Sequence, residues 1–176
     1  MNRKMLFVFT LTLCLCAGSS ASPVLAQIQR ITGAEEALGG LTTIHPRIQY
    51  YEDGSPKEGN RTQLQSDLEG MLGDAGLKIV DAADFERLVA SRSYPIALLD
   101  MEVRMSKIPD TELNIYLLSI KVRQPVFLSR KPVVKFLASS WENTDFGTAR
   151  DFPYVRGAEK ESLERFVQDL RGQNPQ

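Results

Sequence analysis

The chain has 176 residues, with 21 lysines and arginines against 22 aspartates and glutamates and a formal net charge of -1. That balance speaks against a nucleic-acid partner, because binding a polyanion wants a basic stripe. A length of this order suits one domain whose core needs no covalent staples.

The N-terminus has the pattern of a secretory signal. Arg3 and Lys4 precede the apolar run MLFVFTLTLCLCA, which is too short for a resident spanning helix. Small residues follow, with cleavage points after Ala21 or after Ala26, so residues 1–26 read as a signal peptide. Cys14 and Cys16 each follow a leucine, not the small residue that precedes a lipid-anchored cysteine. Both leave with the signal. The mature chain is then expected to lack disulfides, thiol catalysis and cysteine metal ligands. This pattern predicts a bacterial envelope protein, periplasmic or secreted, with no transmembrane segment in the mature chain.

Residues 27–41 (QIQRITGAEEALGGL) are rich in small residues and read as a mobile lead-in. Residues 42–172 read as one α+β domain and 173–176 as a tail. In TTIHPRIQYYE, Ile44, Ile48 and Tyr50 share one side of a strand. Pro46 cannot donate to a ladder, so this strand starts late or lies at an edge. DGSPKEGN is a loop by composition. From Thr62 the period changes to that of a helix, with Leu64, Leu68, Met71, Leu72 and Ala75 at helical spacing and Gly76 as its stop. Asn60–Thr62 fits a glycosylation pattern but is read as helix capping. LKIV is a short buried strand. Asp81, with Asp84 three residues on, opens a second helix striped by Phe85, Leu88 and Val89.

A long hairpin follows, turning through KIPDT. Its strands carry Met101, Val103 and Met105, and Leu118, Ile120 and Val122, toward the core. One register that satisfies this sets Asp100 beside Lys121 and Glu102 beside Ser119; a two-residue shift sets them beside Arg123 and Lys121. Either way acids meet bases, an arrangement worth roughly 0.2–1 kcal/mol per pair that also helps to specify register. After the SRKP turn, PVVKFLASSWE is a third strand, and NTDFGTARDFPYVRG reads as loop. A last helix is striped by Leu163, Phe166, Val167 and Leu170. The expected fold is therefore α+β, β-α-β-α-β-β-β-α, a mixed sheet with helices packed on one face.

With AGLKIV between two helices and a strand meander after them, the chain resembles the N-terminal domain of TolB and the anticodon-binding-like domains of CsgG-type envelope proteins. The closing SLERFVQDLRGQNP is similar to the tail of uncharacterised exported bacterial proteins of this layout. The resemblance spans most of residues 42–172 and implies an envelope adaptor or assembly factor. It carries over no active residues, and TolB's propeller is absent.

No catalytic motif stands out. His45 is the sole histidine, too little for a zinc site or a second catalytic pair, and no G-x-S-x-G elbow occurs. Asp145-Phe146-Gly147 has the letters of a kinase motif without its other parts. Glu52 and Asp53 sit in a solvated loop. No enzyme activity and no cofactor is expected. Instead, Leu98, Ile115, Leu117 and Phe127 share the side of the charged positions, which points to a contact surface for another envelope protein. Arg104, Lys121 and Arg123 would be its polar rim. A second reading is a ligand or glycan pocket in the Trp141–Tyr154 segment, with Asp151 and Arg156 nearby. Trp141 would anchor the third strand, its indole N–H needing a partner. Self-association by sheet pairing is left open.

Overall fold

The computed structural model describes residues 36–92 and 95–174. The proposed signal peptide and most of the lead-in lie outside these residues. A short 3₁₀ turn (Glu36–Leu38) comes first, and Leu38 and Leu41 are buried in the core. The elements that follow are β1 (Thr43–Glu52), β2 (Ser55–Pro56), α1 (Glu58–Asp74), β3 (Lys78–Ile79) and α2 (Ala82–Ala90). They continue as β4 (Ile96–Lys107), β5 (Asn114–Leu128), β6 (Lys131–Ala149) and α3 (Phe152–Gln173). The fold is α+β with a mixed sheet of order β2-β1-β4-β5-β6, and β3 pairs with β1 beside β2.

Pairing explains Pro46. β1 runs parallel to β4 over its whole length, so it does not start late. On its other edge it meets β3 only at Thr43–Ile44 and β2 only at Tyr51–Glu52. Pro46 lies between those two contacts, where a missing donor breaks no ladder.

The helices divide between the two faces, which corrects the expectation that all pack on one. Leu64, Leu68 and Leu72 of α1 and Val155, Leu163, Phe166 and Leu170 of α3 join the main core over the inward residues of the sheet. Phe85 of α2 instead packs with Val80, Ile96 and Leu98 on the opposite, outer side. The cause is strand order. The chain moves from β1 outward to β3, then back across β1 to β4. Right-handed crossovers that run in opposite directions place their helices on opposite faces.

Helix ends follow local chemistry. Asp81 Oδ1 accepts from Asp84 N at 2.7 Å, as the capping pattern predicts. Gly76, at φ +82°, takes the left-handed position after α1. α1 begins a turn earlier than expected, at Glu58, so Asn60 and Thr62 lie inside it and cap nothing. Arg61 pairs back to Glu58 across that first turn.

Candidate functional site

The outer face is a grid of aligned residues. Register sets Asp100 opposite Lys121 and Glu102 opposite Ser119, the first of the two arrangements compatible with the sequence. Across four strands this gives the rows Arg47–Asp100–Lys121–Glu142 and Tyr51–Arg104–Leu117–Phe146. The charges pair among themselves. Arg47 donates to Asp100 in a fork at 2.9 and 2.7 Å, and Arg123 approaches the same carboxylate at 3.3 Å. Lys121 reaches Glu142 at 3.4 Å. Arg104 pairs with Glu102 and stacks over the Tyr51 ring at 5.4 Å. These charges are sheet chemistry that fixes register.

The expected contact residues separate into two groups. Leu98 is only 5% exposed because α2 covers it. Phe127 is half-buried, with the Arg92 guanidinium 5.1 Å over its ring. Ile115 and Leu117 remain open at 56% and 40% exposure. Beside Leu117 stands Phe146, 78% exposed, which the sequence pattern assigns to a loop. Around Leu117 the accessible apolar side chains on this face are therefore Ile115, Leu117 and Phe146, with Arg104 next to Leu117. Lys121 and Arg123 lie farther along the same face.

β6 continues to Ala149, so NTDFGTA is strand and not loop. Its pattern is inverted, with polar residues pointing inward and Phe146 outward. Asn143 Nδ2 donates to Ser162 on α3 at 2.9 Å, and Tyr116 donates to Asp145 at 2.9 Å. Burial and the Asp145 carboxylate push the Tyr116 hydroxyl up to about 12. Gly147 leaves room for that ring: a Cβ there would meet Tyr116 Cε1 at 3.2 Å.

In the Trp141–Tyr154 segment, Trp141, Asp151 and nearby Arg156 are held by packing, capping and ion pairing. Trp141 is buried, its Nε1 donates to Asp169 at 2.8 Å, and its ring meets Phe166 edge-on at 5.2 Å. Asp151 caps α3, accepting from Tyr154 N at 3.2 Å. Arg156 forms a fork with Asp67 of α1. A groove of about 420 Å³ lies between α1 and α3, lined by Met71, Asp74, Glu164, Val167, Gln168 and Arg171. His45 Nδ1 lies 2.9 Å from Val80 O, and no cluster able to hold a metal occurs among the described residues.

One buried acid is not visible in the sequence. Glu159 on α3 is 0% exposed, and neither carboxylate oxygen has a hydrogen-bond partner. Burial, reinforced by nearby Asp67 and opposed by Arg156, pushes its carboxyl up to about 8.

No protein-family model and no curated protein sequence matches the chain. Among solved structures, it is similar to a PelC dodecamer from Paraburkholderia phytofirmans, with 15% identity, 79% of this chain and 91% of that one covered, and a TM-score of 0.44. A dodecamer of a PelC point variant from the same organism shares 11% identity over 76% and 90% of the two chains, also at 0.44. Lipoprotein GNA1162 from Neisseria meningitidis shares 12% over 73% and 99%, with a TM-score of 0.36. No described helix is long and apolar enough to cross a membrane.

Proposed function

We propose that this chain is a non-catalytic, exported adaptor or assembly component that binds another cell-envelope protein through the outer face of its sheet. The observation that carries the reading is the trio Ile115, Leu117 and Phe146. Three large apolar side chains stand exposed on a face whose neighbouring charges already pair with one another. Apolar residues grouped at a surface and rimmed by charge mark contact sites. Arg104, beside Leu117, is the rim residue best placed to orient a partner. Export rests on Arg3, Lys4 and the apolar run behind them. The likeness to TolB N-terminal and CsgG-type domains rests on the sequence segments quoted for it and lends the same direction.

Copurification from the native host tests the reading. Leu117→Glu and Phe146→Glu should each abolish recovery of a discrete envelope partner while the far-ultraviolet circular dichroism stays native. Undiminished recovery with both variants folded would remove the proposal.

A further inference from the structure

The outer edge of β6 offers a second surface. β6 is 19 residues long and closes the sheet, and among the described residues no strand pairs with its far side. Such an edge presents unpaired backbone donors and acceptors, which natural sheets shorten or cover. Here it also carries Val133, Val134, Phe136, Leu137 and Phe146, five of the eight large apolar side chains exposed among the described residues.

Charge decides what kind of strand fits. Lys131 and Lys135 stand in the first half of β6, which holds no acid. Glu142 and Asp145 stand in the second half, which holds no base. The halves meet at Ser139–Ser140, where the pairing with β5 shifts by one residue. Lys135 is paired with Phe127 and Glu142 with Lys121, positions of the same parity on β5, so both belong to the outer face. A strand of this design is complementary to itself turned end for end. A two-fold axis at Ser139–Ser140 sets Lys135 of one copy opposite Thr144 of the other and diagonal to its Glu142 on the same face, twice, and brings the second strand alongside Phe136 and Leu137 of both.

We infer that the chain forms a symmetric dimer by antiparallel pairing of β6 with β6 of a second copy. The interface is isologous, so each contact occurs twice and the assembly closes at two subunits. This surface adjoins the outer-face contact proposed above and shares Phe146 with it, but the charge reversals that test it leave Ile115, Leu117 and Phe146 unchanged. Its failure would leave that reading standing.

The test uses the full-length protein in sedimentation velocity over a wide concentration range. Wild type should pass reversibly from monomer to dimer. Lys135→Glu alone, and Glu142→Lys alone, should each weaken the dimer by about tenfold or more, since each places like charges together at two sites. Mixing the two variants should restore it, because each copy then offers the charge that the other lacks. The double variant Lys135→Glu/Glu142→Lys should dimerise as wild type does. Recovery on mixing also shows that both variants are folded. A monomer at every concentration, as when another segment or protein covers the edge, would overturn the inference. So would a dimer indifferent to either charge reversal, or one that mixing fails to restore.

Discussion

Replacing Glu159 with glutamine removes the proton-binding group at the α1–α3 contact while keeping nearly the same shape. The carboxyl of Glu159 has an ordinary value of 4.5 and is pushed up to about 8 in the fold. Below pH 4.5 the group is protonated both folded and unfolded, and costs nothing. As pH rises from 4.5 to 8, the unfolded chain releases the proton while the folded chain keeps it, so stability falls. The slope for one group is about 1.4 kcal/mol per pH unit, which gives about 3 kcal/mol lost by pH 7 and a plateau above pH 8. Charges near this site on both helices are Asp67 of α1 and Arg156 and Lys160 of α3. The Arg156 guanidinium holds the Asp67 carboxyl below its ordinary value. Stability from that pair is therefore lost only as pH falls through the acid range, outside the window of interest. Urea unfolding from pH 5 to 8, followed by the fluorescence of Trp141, the sole tryptophan, reads the effect directly. Glu159→Gln should gain about 3 kcal/mol over wild type at pH 7 and only about 1 kcal/mol at pH 5. Taking the difference between the two proteins cancels the contributions of the groups that both retain. Parallel profiles for wild type and variant would refute the reasoning.

Other substitutions probe the sheet. Asp100→Ala strips the shared carboxylate from Arg47 and Arg123 and should cost about 1–2 kcal/mol in urea, whereas Lys121→Ala, which breaks an exposed pair, should cost less than about 1. Gly147→Ala drives a methyl against the Tyr116 ring and should destabilise by about 1 kcal/mol, with a lower thermal midpoint. Leu117→Glu and Phe146→Glu lie on exposed positions and should each move stability by less than about 0.5 kcal/mol, so any loss of binding is not a folding effect.

Much of this fold is legible in the residues. The alternation of Met101, Val103 and Met105 against Leu118, Ile120 and Val122 dictates which sides face inward, and Asp100 opposite Lys121 follows from it. Asp81 and Gly76 mark helix ends because their side-chain or backbone chemistry acts locally. The face taken by α2 is not local. It depends on β3 lying on one side of β1 and β4 on the other, which no stripe of Phe85, Leu88 and Val89 records. The same fact buries Leu98. Phe146 is hidden for another reason: the inward polar residues of β6 meet Ser162 and Tyr116, reversing the usual alternation. Glu159 is hidden because a glutamate in a helix normally reads as solvated, and only the approach of α1 encloses it.

The contact surface is tested most directly by photo-crosslinking in the native host, with the reactive residue at Leu117 and a control at exposed Lys160 on α3. A discrete envelope partner captured from Leu117 and not from Lys160 is the predicted result. Adducts absent from Leu117, or equal at both positions, in a folded and exported protein would contradict the account.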